Sequence, residues 1–367
     1  MKKRITMADV ARQAGVHPTT VSLALRQHPS IPLTTRQRIQ ALATELGYRP
    51  DPALSALMAY RRGVRGHGDA PPLAYLTHWD SRWGWKPYYA HAQFHEGATS
   101  KANELGYNVE HFWLGEPGLS HQRLSDILFA RGITGIMVSS HLPGNDRPLG
   151  LDWAKFSAVK IDYFPHEPEL HNVTNDQRTI TQLAMRHIMA AGYRRIGLVM
   201  PRWWDDFSDL AWLSGFLAEQ QRLAPEEHIP ILYFTSQQSQ VGANGEWQYL
   251  IPQSELATWI DRYRPEVLLS TAPFVQAPLR QLGLSVPRDI AFVDFYLLPD
   301  GHTAGVRHNC VRVGALATEI LVGQLQQNTF GIPEFPTSTL VEGTWFAGET
   351  LPPRPVAPAV ARAPVPG

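Results

Sequence analysis

Three groups of side chains in this 367-residue chain have the type and spacing to do chemistry. His91 and His95 stand four residues apart with Glu96 beside them, a spacing that lets two imidazoles on one helical face share a metal ion. No further ligand completes the set, so a solvated helix face is the expected reading and no metal site is expected. The second group is aromatic: Trp79, Trp83 and Trp85 follow the apolar run "LAYLT", and Trp203 and Trp204 follow "RIGLVM". Indole faces in such places stack on a flat ligand, or else fill a core or an interface. The third group is "PTTVSLAL" at residues 18–25, a short run of hydroxyls and small residues next to "GVHP". Such a side-chain set suits presentation to another molecule more than catalysis. The sequences G-x-S-x-G, the Walker loop, G-x-G-x-x-G and H-E-x-x-H do not occur. Neither an enzyme nor a cofactor is expected.

The elements that must position these groups differ along the chain. Thr6 and Asp9 make a capping-box start for a helix over about residues 7–14, which Gly15 ends. Pro18 suits the first position of a second helix, about 18–26, because its missing N–H would be unpaired there. Thr34 with Gln37 forms a further capping box for a third helix, about 34–46, carrying Ile39, Leu42, Ala43 and Leu46 on one face. A helix of about eight residues is barely stable alone, so the second must be held by its neighbours. Val10, Ala14, Val16 and Val21 are its candidate core, leaving Pro18, Thr19, Ser22, Leu23 and Arg26 outward. Helix, tight turn, short helix and support make a helix-turn-helix unit, whose second helix enters the major groove of DNA. The competing reading is an ordinary helical hairpin. Asp51 can cap and Pro52 can begin a fourth helix, about 51–60.

From Leu73 onward, runs of strand length ("LAYLT", "GIMVSS", "AVKID", "RIGLVM", "ILYF", "VLLST", "IAFVDF") alternate mostly with helical patterns. That alternation predicts parallel sheets with helices on both faces, and the number of strands predicts two lobes. In such sheets ligands bind beyond the carboxyl ends of the strands, where Trp79, Trp83, Trp85, Trp203 and Trp204 fall.

Charge is uneven. Through residue 65 there are eleven Lys and Arg against three Asp and Glu, a net +8 that leaves −8 on the rest of a chain whose formal charge is zero. A basic end on an acidic body implies a polyanion partner for that end. Cys310 is the sole cysteine, so no disulfide framework forms within the chain, and a reducing compartment is expected. No apolar run has signal-peptide or membrane-spanning length, so a cytoplasmic protein without membrane contact is expected. The last seventeen residues hold six prolines and should form a disordered tail.

"ITMADVARQAGVHPTTVSLAL" followed by "TRQRIQALATELGYRP" resembles the amino end of the lactose-repressor/galactose-repressor (LacI/GalR) family of bacterial transcription regulators, and "PALSALMA" falls where that family has its hinge helix. The body resembles the family more weakly, through "HNVTNDQRTITQLAMRHIMAAGYRRIGLV", "LGLSVPRDIAFV" and "TLVEGTW". The resemblance implies an all-α helix-turn-helix DNA-binding domain joined to an α/β effector domain like the periplasmic binding proteins, with two Rossmann-like lobes. It implies a homodimer on a pseudo-palindromic double-stranded operator, located on the nucleoid. By position, Thr6, His17, Thr20, Ser22 and Arg26 would contact or orient the DNA backbone, while Pro18, Thr19 and Leu23 would face base edges. The family usually has Ser in place of His17 and often a polar residue in place of Leu23. Leucine offers only apolar contact, for example with a thymine methyl. Leu57 matches the hinge leucine that wedges between bases, and an apolar wedge physically favours a kinked duplex. Packing of Leu54, Leu57 and Met58 under the body is the alternative.

Family members bind a small effector between the lobes, and Asp162 stands where an acid contacts a sugar hydroxyl. Trp212 replaces an Arg that often clamps the ligand, and Tyr296 replaces the usual Asp after "IAFV". With Trp79 and Trp203, these make the expected effector contacts Trp79, Asp162, Trp203, Trp212 and Tyr296. The aromatic replacements suit a ligand with an apolar face, such as an oligosaccharide, a glycoside or an aromatic metabolite. The expected domains are 1–62 with the hinge helix at about 51–60, a linker 63–72, an effector-binding and dimerisation body 73–348, and a tail 349–367. The expected function is an effector-controlled transcriptional regulator, most simply a repressor of carbohydrate or related genes. The alternatives are a body that only dimerises and a soluble carbohydrate-binding protein.

Overall fold

The computed structural model describes residues 7–25, 31–46, 70–141, 147–235, 240–241, 247–248, 251–299 and 301–354. Three short helices begin it: α1 (Met7–Ala14), α2 (Pro18–Leu25) and α3 (Leu33–Glu45). Their shared core is Val10, Ala11, Ala14, Val21, Ala24, Ile39 and Ala43, with Val16 packed against it. Gly15 takes the left-handed φ of +68° that lets the chain leave α1. The third helix does more than fill space. Arg38 Nη2 donates to the Ala14 carbonyl and Gln40 Nε2 to the Ala24 carbonyl, both at 3.2 Å. It thereby serves carbonyls left over at the ends of the two helices it supports. The start expected at Thr34 is corrected: Pro32 is the cap, with no side-chain bond, and its carbonyl accepts the Arg36 N–H at 3.0 Å. Proline's restricted φ already sets the chain for helix entry, so the Thr34 hydroxyl is not used as a cap. Thr6, Arg26, the expected hinge helix 51–60 with Leu57, and most of the linker 63–72 lie outside the described residues.

The first lobe holds β1 (Pro72–His78), α4 (Tyr89–Glu104), β2 (Asn108–Trp113), α5 (His121–Ala130), β3 (Gly135–His141), β4 (Ser157–Ile161) and β5 (His171–Asn175). The second holds α6 (Gln177–Ala190), β6 (Ile196–Pro201), α7 (Arg202–Phe207), α8 (Ala211–Gln220), β7 (Leu232–Phe234), a small ladder of β8 (Gln240–Val241) with β9 (Trp247–Gln248), α9 (Gln253–Tyr263), β10 (Val267–Ser270), α10 (Ala272–Gln281), β11 (Ala291–Asp294) and β12 (Gly305–Arg307). The chain then returns through α11 (Cys310–Gln327) to β13 (Ser338–Val341) in the first sheet and crosses again to β14 (Thr344–Phe346) in the second.

Both six-stranded sheets repeat one plan. Their orders are β13-β5-β4-β3-β1-β2 and β14-β12-β11-β10-β6-β7, parallel except for β14. In each, the first strand of the lobe lies between the second and third, so the order reverses there and a crevice opens beyond the strand ends. α4 and α11 cover one face of the first sheet through Phe94, Ala98, Ala102, Val313, Ala317 and Leu321. They approach until a Cβ on Gly97 would meet the Val311 carbonyl oxygen at 1.9 Å and one on Gly314 the Phe94 carbonyl oxygen at 2.0 Å. Glycine is required at both.

The strands read from apolar runs are all present. β2, β5, β12, β13 and β14 have no such apolar run; "NVEHFW" and "HNVTN" carry too many polar residues to read as strands. The tail expected from 349 is corrected to begin no earlier than 355. Thr350 Oγ1 donates to the Phe292 carbonyl at 2.7 Å, the Arg354 N–H to the Ala191 carbonyl at 2.9 Å, and the Arg354 guanidinium pairs with Glu266. These bonds add residues 350–354 to the second lobe, and the rest of the tail lies outside the described residues. Among the described residues no helix is long and apolar enough to cross a membrane.

Candidate functional site

The two switch points face each other across a cleft of about 240 Å³. The first lobe contributes Trp79 after β1, Tyr88, Tyr89, His91 and Phe94 from the start of α4, His141, Asp162, and Asn175 with Gln177 at the exit of β5. Facing them from the second lobe are Trp203, Trp204 and Phe207 on α7, Trp212 on α8, Phe274 on α10, and Tyr296 and His308 beyond β11 and β12. All five expected effector contacts therefore stand on one wall or the other, although they are spread over more than two hundred positions of the chain.

Asp162 is the polar centre. Its φ is +71°, a left-handed conformation that Asp tolerates better than most residues. Its N–H donates to the Val173 carbonyl at 3.0 Å, and Thr174 Oγ1 donates to its Oδ1 at 3.3 Å. Burial raises its carboxyl from the ordinary value of 3.8 to about 6. The imidazoles move the other way. Burial lowers His91 and His308 to about 4 and His141 to about 3, so all three are neutral at pH 7. Two further polar atoms of the wall have no partner: the indole N–H of Trp79 and the amide oxygen of Asn175 are buried and unbonded. An unpaired buried polar group costs about 1–3 kcal/mol.

The aromatic side is layered. Trp212 is only 3% exposed and lies parallel to Trp204 (centroids 5.8 Å, 27°) and to His308 (5.8 Å, 22°). It is the floor beneath Trp204, which the expected contact set had left out. Tyr296 packs against the cores of both lobes, its ring edge-on to His308 at 4.6 Å. Phe207 reaches across the lip to Phe164 at 4.1 Å and Tyr163 at 5.5 Å. His141, Asn175, Phe274 and His308 carry no signal of their own in the sequence beyond lying near strand ends.

Two expectations need correction. Trp83 and Trp85 do not line the cleft: the turn after β1 folds them outward toward β2. Trp85, 2% exposed, packs beside Tyr75 and His95, and Trp83, 47% exposed, stacks on His111 at 4.5 Å. His91 and His95 are not a solvated face. Their helix lies over β1, so His91 meets Trp79 edge-on at 5.3 Å and His95 meets Tyr75 at 4.9 Å. Among the described residues no group of three or more His, Cys, Asp or Glu could hold a metal ion.

At the amino end, His17 and Pro18 are exposed at the start of α2, with the His17 carbonyl accepting the Thr20 N–H at 2.9 Å. Thr20 and Leu23 are half-buried, so Leu23 is less outward than expected. Thr19 and Ser22 lie on α2, but their side chains are outside the described set. A compact three-helix unit with an exposed second-helix entrance is the form of a groove-reading module. Residues 6–51 match the model of the family "Bacterial regulatory proteins, lacI family".

The amino-terminal domain is of this family's type.

The regulator is 25% identical over 306 residues to the HTH-type transcriptional regulator reg1 of Streptomyces lividans, covering 79% of each chain. It is 24% identical over 200 residues to the lactose operon repressor of Escherichia coli (strain K12), covering 54% of this chain and 51% of that one. Among solved structures, the transcriptional regulator CelR–cellobiose complex superimposes with a TM-score of 0.55 at 18% identity, over 95% of this chain and 100% of that one. The lac repressor dimer bound to operator and the anti-inducer ONPF gives 0.53, also at 18% identity, over 95% of this chain and 100% of that chain. At such identity the structural likeness is one of fold: a helix-turn-helix domain and two parallel-sheet α/β lobes. The regulator is a DNA-binding transcription factor and not an enzyme.

Proposed function

We propose that the regulator is an effector-controlled repressor of carbohydrate genes. It binds a pseudo-palindromic double-stranded operator as a homodimer, in the cytoplasm on the nucleoid, and is released by a saccharide or glycoside held between its lobes. The observation that carries the effector is the cleft wall, in which aromatic faces on both lobes enclose the carboxylate of Asp162. Indole and phenol faces stack on the C–H faces of a sugar ring while an acid accepts from its hydroxyls. CelR, which shares the fold, is named as a cellobiose complex.

On the DNA side, Thr6, His17, Thr20, Ser22 and Arg26 hold the backbone, Pro18, Thr19 and Leu23 face bases, and Leu57 in a hinge helix enters the minor groove. The two sides are linked. An effector that prefers a lobe arrangement incompatible with paired hinges weakens operator binding by the same factor as the operator weakens its own binding. The experiment is a gel shift with the full chain and fragments flanking its own gene, repeated with maltose, cellobiose and an aryl glucoside. Retention of one fragment and its release by one of these sugars is the expected result. Fragments that never shift defeat the operator assignment, and shifts indifferent to every sugar defeat the effector assignment.

A further inference from the structure

Among the residues lining the cleft there is no Lys and no Arg. The undescribed segments of the body, 142–146, 236–239, 242–246, 249–250 and 300, contain neither residue. Two cations on the flanking elements are committed elsewhere: Lys160 Nζ donates to the Pro165 carbonyl at 3.2 Å, and Arg202 pairs with Asp206 at 2.8 Å. The Arg307 guanidinium lies outside the lining, 4.1 Å over the Phe346 ring. Helix amino termini are the other common anion holders, through their free N–H groups and positive dipole ends. Three of those near the cleft are already served. The Asp176 carboxylate accepts from Thr179 N at 3.0 Å on α6, Asp294 from Ala272 N at 2.8 Å on α10, and Asp205 from Leu213 N at 3.2 Å on α8. Three of these termini thus carry a carboxylate of their own, and the carboxylate of Asp162 faces the cleft itself.

We propose that the cleft sorts saccharides by charge, accepting neutral or amino-bearing ones and rejecting phosphorylated or acidic ones. This rests on the saccharide reading above. A bound phosphate would give up its hydration beside the Asp162 carboxylate with no lining cation in return. An ammonium group gains instead, from Asp162 and from the aromatic faces.

The test is calorimetric titration of the full chain with matched pairs: cellobiose and cellobiose 6′-phosphate, maltose and maltose 6′-phosphate, and chitobiose as the amino-bearing probe. The expected result is a neutral sugar or chitobiose bound about 100-fold or more tightly than any phosphorylated partner, with the gap narrowed in Asp162→Asn. A phosphorylated sugar bound as tightly as its neutral partner overturns the charge filter and leaves the saccharide reading standing. Failure of every one of these sugars to bind overturns the saccharide reading itself, and the filter with it.

Discussion

The side-chain amide of Asn175 donates to the Cys310 sulfur at 3.6 Å, joining the exit of β5 to the start of α11. These are two of the three places where the chain passes between the lobes, the third being the step from β13 to β14. Asn175 lines the cleft, so a ligand that engages its unpaired amide oxygen acts directly on a connection between the lobes. Burial also pushes the Cys310 thiol up to about 12. A thiol, not a thiolate, is therefore present at pH 8, and it is enclosed. Ellman's reagent at pH 8 should leave the folded regulator unlabelled and titrate one thiol after denaturation. Labelling within minutes in the native state would show that the β5–α11 junction opens freely.

Tryptophans of the cleft should separate by depth. Trp212→Ala removes a floor residue and should cost about 3–5 kcal/mol of stability, as large core truncations do. Trp203, half-buried on α7, should show the opposite pattern: Trp203→Ala lowers saccharide affinity and leaves the melting temperature within a degree or two. Melting curves and calorimetry on both variants check the contrast.

Trp79→Phe keeps a ring and removes an N–H that has no partner. Loss of an unsatisfied donor relieves a penalty, so the variant should be as stable as the parent or more so. If that N–H serves the ligand, affinity should nevertheless fall about 3- to 10-fold, the worth of one hydrogen bond. A fall in stability with unchanged affinity would make Trp79 a packing residue only.

Asp162 gives a pH signature. Its folded value, about 6, lies above its ordinary 3.8, so it binds its proton more tightly folded than unfolded. Its contribution to stability is fully present below the unfolded value and is lost as pH rises through about 6. Asp162→Asn removes this dependence. Relative to the parent, the variant should gain on the order of 1–3 kcal/mol between pH 4 and 7, the upper figure trimmed by the open edge that Asp162 keeps on the cleft. Saccharide affinity of the parent should rise over the same interval as the carboxylate forms. Denaturant midpoints and titrations at pH 4.5, 6 and 7.5 test both, and parallel pH curves for parent and variant would contradict the assignment.

Legibility in the sequence followed physical cause. Runs such as "VLLS" and "AFVD" are buried on both faces of a parallel sheet, so they are apolar throughout and announce themselves. β5 lies one strand in from the edge, and its "HNVTN" is half-buried at His171 and Asn172 and ends in Thr174 and Asn175, where Asn175 lines the cleft. The function hid the strand. The aromatic residues of the site followed the same rule. Trp79 and Trp203 could be placed because each directly follows a legible strand, whereas the same argument misplaced Trp83 and Trp85, which lie only a few residues further along a turn that folds outward. His91 failed for another reason: helical spacing gives the face a residue shares, but not what covers that face.

Leu57 is the residue on which the DNA reading can be tested most sharply. The basic amino end neutralises phosphates, and its affinity for any duplex should fall steeply between about 50 and 200 mM salt. That term is shared by every sequence. A leucine wedge adds something else, since parting a base step costs a few kcal/mol and is repaid only where the bent duplex fits the dimer. Leu57→Ala should therefore lower affinity for the operator by about 10- to 100-fold while leaving non-specific binding and its salt slope unchanged. The bend angle, read by circular-permutation gel shift, should fall with it. The melting temperature of the free protein should hold, because a side chain that acts on DNA contributes little without it. If Leu57 instead packs beneath the body, the pattern inverts: the melting temperature falls while bend and specificity are retained.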